Sequence, residues 1–331
     1  MVDRMSRRRF IGISAALAGL SLLPPRAVRA EDGAQVWHGF ALGAPAMIVL
    51  NHPDKAEARR LFGRIEAETE RLEAIFSLFR SDSELALLNR TGALAAPSAE
   101  MVDLLARCRD IHRESGGLFD PTVQPLWTCL FRHFSASDPD PAGPAAEEMR
   151  QALDLVGFDA LRANADRIAF SRRGMALTLN GVAQGYITDR ITALLAENGL
   201  TQSLVDMGEY RALGTRPDGT PWRVGLSTLE SDATPDRFVD LAGKALATSS
   251  AEGFSFDASG RFNHLLDPRT GLSASLYAYL TVVAPDAAGA DAWATAFSLM
   301  SPEEIARVVK AQGNITVYLR QRDGKRLVLS A

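Results

Sequence analysis

Cysteine and histidine are scarce in this 331-residue chain, which has two Cys and five His. No C-x-x-C or H-x-x-x-H pair occurs, so the usual ligand spacing of a zinc site is absent. Two Cys are also too few for a disulfide framework. Cys108 and Cys129 either pair in an oxidising compartment or stay as two buried thiols, and Cys108 falls on the apolar stripe of a predicted helix.

The chain has no excess of basic residues, because 36 Lys and Arg face 40 Asp and Glu for a formal charge of −4. This balance argues against nucleic acid or anionic lipid as the main partner. No apolar run is long enough to span a bilayer comfortably. The length suits one large domain or two fused halves with ample core.

Residues 1–30 have the composition of an export signal. A basic start precedes a short apolar stretch at 11–23, and Val28 and Ala30 fit the positions before a cleavage site. The run SRRRFI at 6–11 matches the twin-arginine signal. We predict a twin-arginine signal peptide at 1–30, a single domain at 31–331 and a periplasmic location, with a retained membrane anchor as the alternative.

Apolar residues at helical spacing predict several helices. The first follows the capping sequence DKAE at 54–57, and a second and a third begin after Ser83 and Ser98. A fourth runs from the NGVAQGY turn to 198–199, and SPEE at 301–304 starts another. On the first helix the predicted inward residues are Leu61, Ile65, Leu72, Ile75, Phe76 and Phe79.

Strands are predicted between and after these helices. They lie at 46–50, 176–179, 203–206, 222–226, 237–241 and 279–284, and a hairpin turning at Asp323-Gly324 closes the chain. The segment 135–146 is a loop by composition. Because strands and helices mix without strict βαβ alternation, the pattern predicts an α+β fold.

The segment GADAWATAFSLM at 289–300 is apolar, yet Asp291 and Thr295 lie one helical turn apart within it. A buried carboxylate is costly unless something pairs with it. A carboxylate and a hydroxyl at this spacing supply two oxygen ligands to a hard cation such as Mg²⁺. The alternative is that Asp291 caps the helix start and Thr295 bonds back to the preceding turn.

Three further segments carry groups suited to an anionic ligand. NGVAQGY at 180–186 is a glycine-bearing turn that enters a helix, although it lacks the lysine of a P-loop. LATSSAEG at 246–253 places three hydroxyls together, and NHLLDPRTG at 263–271 places His264 before an Asp-Pro turn.

Eight segments, which include several of those above, follow one another in a defined order along the chain. They are FSLFRSDSELALLN (76–89), GGLFDPTVQPLW (116–127), NGVAQGYITD (180–189), VDMGEYRALG (205–214), WRVGL (222–226), ALATSS (245–250), NHLLDPRTG (263–271) and TVVAPDAAGADAWATA (281–296). Together they resemble the ApbE family of FAD:protein FMN transferases over roughly residues 36–320.

The resemblance implies an α+β, T-fold-like domain with duplicated halves, mixed or antiparallel sheets and packed helices. It implies Mg²⁺ and FAD, with FMN moved onto a Ser or Thr of a client flavoprotein and AMP released. The metal would be held by Asp291, Thr295 and the carbonyl of Gly181, and His264 would assist the attacking hydroxyl. The implied FAD contacts are Leu42, Phe79, Leu118, Phe119, Asp120, Thr178, Gln184 and Leu265.

The chain departs from the family pattern at several of these positions. Thr178 stands where the family has Asp, Gln184 where it has Lys, and Phe79 where it has Tyr. The family's Gly-Gly-Asp reads Met207-Gly208-Glu209, and its Thr-Ser-Gly reads Thr248-Ser249-Ser250. These changes bear on how FAD is bound and oriented rather than on the metal pair.

Three functions fit the sequence. The first is the FMN transferase, the second a hydrolase that splits FAD into FMN and AMP, and the third a flavin-binding assembly factor without turnover. Family members with twin-arginine signals include NosX-like maturation factors of nitrous-oxide respiration, and others serve electron-transfer complexes in the membrane. No segment of this chain identifies the client protein.

Overall fold

The computed structural model describes residues 34–226, 235 and 237–331. The predicted signal peptide at 1–30 lies outside these residues. Within the described ranges, no helix has both the length and the apolar character needed to cross a membrane.

The main sheet has eight strands in the order β1-β2-β6-β7-β10-β11-β12-β13, and every neighbouring pair is antiparallel. Two smaller antiparallel sheets have the orders β3-β5-β4 and β8-β9. The strands are β1 (Ala34–Ala41), β2 (Ala44–Asn51), β3 (Ala93–Ala95), β4 (Leu161–Ala163), β5 (Arg167–Phe170), β6 (Ser203–Asp206), β7 (Tyr210–Leu213), β8 (Trp222–Leu226), β9 (Arg237–Leu241), β10 (Ala245–Ser249), β11 (Tyr277–Ala284), β12 (Thr316–Gln321) and β13 (Arg326–Ser330).

The α-helices are inserted between the strands. They are α1 (Lys55–Phe76), α2 (Glu84–Thr91), α3 (Ala99–Glu114), α4 (Gln124–Phe134), α5 (Ala146–Leu153), α6 (Ala183–Glu197), α7 (Ala287–Phe297) and α8 (Pro302–Gln312).

The main sheet is built from two units with the same order of elements. In the first unit β1 and β2 precede a helical segment that is followed by β6 and β7. In the second, β10 and β11 precede α7 and α8, which are followed by β12 and β13. The units join where β7 pairs with β10 through Ala245 with Arg211 and Leu246 with Tyr210. The predicted α+β class is confirmed, and the repeated order agrees with duplicated halves.

The main sheet is covered on both faces. Because successive residues of a strand point to opposite faces, one strand contributes to two separate cores. On β2, Ile48 and Leu50 belong to the core beneath the helices, whereas Val49 belongs to a second core that includes Trp222 and Val224 of β8. The helices therefore lie against one face and the β8-β9 hairpin against the other.

Most predicted helix starts are confirmed by their caps. Asp54, Ser83 and Ser98 each accept hydrogen bonds from the first turn of the helix that follows. Ser301 and Glu304 form a complete capping box at the start of α8. These signals are local in sequence, which is why they can be recognised without the fold.

Two sequence predictions of local structure are wrong. Helix α1 ends at Phe76, so Phe79 is not on its stripe; the Ser77 hydroxyl accepts hydrogen bonds from the backbone of Phe79 and Arg80 and turns the chain away. The segment 176–179 forms no strand. Its backbone is bonded instead by the Asn89 side chain at Leu177 and by the Pro121 carbonyl at Thr178.

The two cysteines do not pair. Cys108 and Cys129 are both free and buried, and they belong to different hydrophobic clusters. Burial raises the pKa of both thiols above the ordinary value. Of the two alternatives that the sequence left open, the structure has the buried thiols.

Helices α6 and α7 cross in close contact. A methyl group at Gly185 would lie 2.3 Å from the carbonyl oxygen of Ala287. Next to this crossing, the Asp189 carboxylate accepts hydrogen bonds from the N–H groups of Ala287 and Ala288, at 2.9 and 3.0 Å, and pairs with Arg211 of β7. Asp189 thus joins α6, β7 and the positive end of the α7 dipole.

The crossing predicts opposite effects for two glycine substitutions. Gly185→Ala should lower the free energy of unfolding by about 1–3 kcal/mol or more, because the new methyl group must push α7 away. Gly63→Ala is the matched control, since Gly63 is an exposed position in α1 with nothing within 4 Å of the new methyl group. It should stabilise the protein by about 0.5–1 kcal/mol. Denaturant titrations that place both variants on the same side of wild type would contradict the close crossing.

Candidate functional site

A cleft opens where the two units of the main sheet join. It encloses about 880 Å³ of empty space, part of it open to solvent. Its walls come from the loop before α4, the entry to α6, the β6-β7 turn, the end of β10, the loop after β10, and α7. The lining residues are Leu118, Phe119, Asp120, Pro121, Val123, Trp127, Thr178, Asn180, Gly181, Glu209, Thr248, Ser249, Ser250, His264, Leu265, Leu266, Asp291 and Thr295.

Nine of the twelve residues that the sequence singled out line this one cleft. They are Leu118, Phe119, Asp120, Thr178, Gly181, His264, Leu265, Asp291 and Thr295. Their positions in the sequence span almost 180 residues, so the fold brings them together from separate elements. Leu42, Phe79 and Gln184 are not among the lining residues.

Asp291 lies within α7 and does not cap it. The cap is Asp286, whose side chain accepts a hydrogen bond from the N–H of Gly289. Asp291 is buried, and its Oδ2 accepts a hydrogen bond from the N–H of Gly185, at 3.2 Å, on the neighbouring helix. The helix-cap alternative for Asp291 is therefore wrong.

Thr295 follows Asp291 by one turn and faces the entry to α6. A methyl group at Gly181 would lie 2.7 Å from Thr295 Oγ1, so glycine lets the backbone approach this hydroxyl. The Asp291 carboxylate, the Thr295 hydroxyl and the Gly181 backbone thus share one end of the cleft.

Glu209 is a second acid at this end, and the predicted site residues did not include it. It lies in the turn between β6 and β7, it is buried, and it accepts a backbone hydrogen bond from Thr248. Burial and the charges of Asp291 and Asp206 raise the pKa of Glu209 well above its ordinary value. Its sequence signal is the acid that stands at the family's Gly-Gly-Asp position, after a glycine in a turn between two apolar strands.

Burial also raises the pKa of Asp291, to about 8, and that of Asp206, to about 7. Among the described residues that line the cleft there is no Lys or Arg. The lining therefore offers no fixed positive charge to an anion, and a bound cation would both supply that charge and favour the ionised carboxylates.

The donor set fits Mg²⁺ bound together with an anionic ligand. Throughout the described ranges, no three His, Cys, Asp or Glu side chains converge as a metal site made of protein alone. Mg²⁺ commonly takes one or two carboxylates and completes its shell with water and substrate phosphates. One carboxylate, one hydroxyl and one carbonyl, with Glu209 nearby, match that preference.

His264 lines the cleft with a defined ring orientation. Its backbone N–H and its Nδ1 both lie within hydrogen-bond distance of the Phe254 carbonyl, at 3.2 and 3.1 Å. Because a carbonyl only accepts, Nδ1 carries the proton and Nε2 bears the lone pair. Burial lowers the pKa of His264, which favours this neutral form near pH 7. A neutral imidazole of this kind can accept a proton through Nε2.

Asp120 fixes the shape of one cleft wall. Its carboxylate accepts hydrogen bonds from the N–H and the hydroxyl of Thr122 and from the N–H of Phe158. Burial raises its pKa, which these bonds and nearby His112 partly offset. The carboxylate thus holds the FDPTV loop, and its expected contact with FAD stays a prediction.

The three predicted residues outside the lining have other surroundings. Leu42 occupies a turn at φ 49° and its N–H donates to Glu73. Phe79 is 36% exposed, and the Gln184 side chain is buried against Gly208. Their expected roles in FAD binding remain predictions.

The buried acid Asp291 predicts how stability depends on pH in the presence of a chelator. Its pKa is higher in the folded state than in the unfolded state, so its ionisation favours unfolding between about pH 4 and pH 8. Asp291→Asn keeps an acceptor for the Gly185 N–H but removes the charge. The variant should match wild type near pH 4 and melt at least roughly 2–4 °C higher at pH 8. If the variant and wild type melt at the same temperature at both pH values, the ionisation of Asp291 does not favour unfolding.

Comparison with known proteins places the chain in one family of relatives. The curated FAD:protein FMN transferase of Klebsiella pneumoniae (strain 342) is 26% identical over 330 residues, covering 96% of this chain and 93% of the relative. That of Treponema pallidum is 27% identical over 282 residues, covering 77% and 75%.

Solved structures give the same result. The flavin transferase ApbE of Vibrio cholerae matches with a TM-score of 0.76 at 24% identity, covering 90% of this chain and 98% of that one. The apo form of the Pseudomonas stutzeri flavinyl transferase ApbE matches with a TM-score of 0.75 at 25% identity, covering 89% and 95%. The model of the ApbE family matches residues 42–319. Since that match spans most of the sequence, the chain belongs to the ApbE family.

Proposed function

We propose that this protein is a Mg²⁺-dependent FAD:protein FMN transferase that moves FMN from FAD to a Thr or Ser hydroxyl of a client flavoprotein and releases AMP. The observation that carries the proposal is the cleft, which combines a cation-binding end with a neutral histidine whose Nε2 is free to take a proton. The curated relatives bear the name of this activity.

The acidic end of the cleft would hold the cation. Asp291, Thr295 and the carbonyl of Gly181 are its expected ligands, and Glu209 adds negative charge beside them. Bound Mg²⁺ would offset and polarise the charge of the FAD pyrophosphate. Because the described lining holds no Lys or Arg, this cation would supply the positive charge that faces the diphosphate.

The hydroxyls at the end of β10 are placed to bind phosphate oxygens. Thr248 shares a hydrogen bond with Thr281, and Ser250 donates to the Ala278 carbonyl. The backbone of Ser249 pairs with β11, but its hydroxyl makes no hydrogen bond within the described part of the chain and is available to a ligand. We assign Ser249 to this contact.

His264 would act on the acceptor. Its Nε2 takes the proton of the client hydroxyl while the hydroxyl oxygen attacks the phosphorus on the FMN side of FAD. The new P–O bond joins FMN to the client, and the bond from that phosphorus to the bridging oxygen breaks and leaves AMP. General-base assistance of this kind contributes typically ~10²–10⁴-fold to the rate.

The place of action follows from the twin-arginine sequence at 1–30. We infer export by that pathway and work in the periplasm on the exported domain of a client, for example in nitrous-oxide respiration or in an electron-transfer complex of the membrane. Removing residues 1–30, which hold six Arg and one Asp, leaves a charge of −9 and gives no support for a nucleic-acid partner.

The deciding experiment incubates the protein with FAD, Mg²⁺ and the client's flavin domain. Mass spectrometry should find FMN joined to a Thr or Ser, with AMP in equal amount. Free FMN and AMP with an unmodified client would establish the hydrolase instead. Bound FAD without either product would leave a flavin-binding assembly factor.

Two variants test the assigned roles. Asp291→Ala should abolish Mg²⁺-dependent transfer while the protein remains folded, because Asp291 ligates the cation. His264→Ala should slow transfer by roughly 10²–10⁴-fold without weakening FAD binding, because the ring acts on the acceptor. Thermal melts serve as the folding control, and full activity in either variant would remove that residue from the mechanism.

Ligand preference gives a test that needs no client. The protein should bind FAD more tightly than FMN, and Mg²⁺ should strengthen FAD binding, because the cation end of the cleft recognises the pyrophosphate. Titration calorimetry with and without a chelator measures both effects. Equal affinities for FAD and FMN would show that the pyrophosphate is not the recognised group.

A further inference from the structure

Four aromatic rings link α4 to the segment that carries His264. Trp127 stacks on Phe131 with centroids 4.9 Å apart and on Phe254 with centroids 6.0 Å apart, and it meets the edge of Phe256 at 5.5 Å. Phe254 and Phe256 pack edge to face at 5.1 Å. These four residues are here named the aromatic bridge.

The aromatic bridge ends next to the carbonyl oxygen of Phe254, which orients His264. The carbonyl of Phe254 accepts both the backbone N–H and the Nδ1–H of His264. Two bonds to a single oxygen fix the ring plane and the tautomer only if that oxygen itself stays in place. The position of Phe254 therefore decides where the Nε2 lone pair points.

The backbone around Phe254 forms a short irregular hairpin, in which the N–H of Phe256 donates to the Phe262 carbonyl, and the ring of Phe254 packs on Trp127 and Phe256. The chain between β10 and β11 has no regular strand of its own, and its ladder consists of isolated bridges at Ser255 with Asn263 and at Leu266 with Ser273. Helix α4 adds side-chain packing on both sides of His264. Trp127 holds Phe254 before it, and Leu266 after it lies in one cluster with Leu126 and Leu130.

We propose that Trp127 is a positioning residue for His264, acting through the ring of Phe254 and its carbonyl. The proposal rests on the transferase function for its kinetic consequence, but not for its structural one. Trp127 suits this role because its large ring contacts three others at once and loses little conformational entropy when held. Its place in the cleft wall brings the same contact next to the substrate.

The first test reads the imidazole directly. Long-range ¹H–¹⁵N spectra of the whole protein should show His264 as a single tautomer with the proton on Nδ1, its signals being assigned by their loss in His264→Ala. Trp127→Ala should give a mixture of tautomers or a raised fraction of the Nε2–H form. Trp127→Phe should keep the wild-type signal, because a smaller ring can still stack on Phe254.

The second test is kinetic. Trp127→Ala should lower kcat for transfer by about 10–100-fold with the KM for FAD within about threefold of wild type, as a misplaced base predicts. In the His264→Ala background the same change should cost almost nothing further, because the two residues act as one unit. Trp127→Phe should recover most of the rate.

Phe134→Leu is the matched control. Phe134 packs against Phe262 in the same hydrophobic cluster, with the rings tilted by 44°, but makes no ring contact with the aromatic bridge. It should loosen the same cluster, as its thermal melt will report, and leave the His264 tautomer and kcat unchanged. Should Trp127→Ala not fold, Trp127→Leu takes its place in both tests.

The results distinguish a failure of the role proposed for Trp127 from a failure of the proposed transferase function. An unchanged His264 spectrum in Trp127→Ala, or a full additional loss of rate in the double variant, would overturn the proposal. A wild-type protein that transfers no FMN would overturn the proposed function, while the tautomer measurement would still decide the role of Trp127.

Discussion

The close crossing of α6 and α7 determines where the site lies. Gly185 lets the helices touch, Asp189 bonds the first N–H groups of α7, and the N–H of Gly185 reaches Asp291. Every expected cation ligand stands on one of these two helices or on the turn that enters α6. A small displacement of α7 would move Asp291 and Thr295 away from Gly181, so the packing of two helices sets the spacing of the donors.

The acidic end of the cleft is built at a cost to the fold. Asp206, Glu209 and Asp291 are buried near one another, and burial raises the pKa of each. Hydrogen bonds from Gly185, Gly208 and Thr248 offset only part of that cost. Such an arrangement is typical of sites whose stability is completed by a ligand. The lining also includes the apolar side chains of Leu118, Phe119 and Leu265, which suit the rings of a nucleotide or flavin.

The sequence predicted best what is decided locally. The caps at Asp54, Ser83, Ser98 and Ser301 involve partners within four residues, and helical spacing placed Asp291 correctly on a buried helix. Motif order predicted the family and most of the cleft.

The predictions that failed depended on particular contacts. Phe79 continued the helical spacing of α1, but the hydroxyl of Ser77 ended that helix. Residues 176–179 looked like a strand, but the Asn89 side chain, far away in sequence, takes the hydrogen bonds of Leu177. The family pattern marked Glu209 as a retained acid, but its place beside Asp291 and the contacts of Trp127 depend on neighbours that only the fold supplies.

The hydrogen bond from Gly185 to Asp291 joins residues 106 positions apart, and the cleft closes only when both units of the sheet have paired at β7 and β10. Contacts of such long range carry an entropy cost of loop closure that the local helix caps do not carry. A growing or truncated chain that ends before α7 thus has one wall of the cleft without the other. The complete cleft, with Asp291 and Thr295 facing Gly181, is consequently a property of the finished fold.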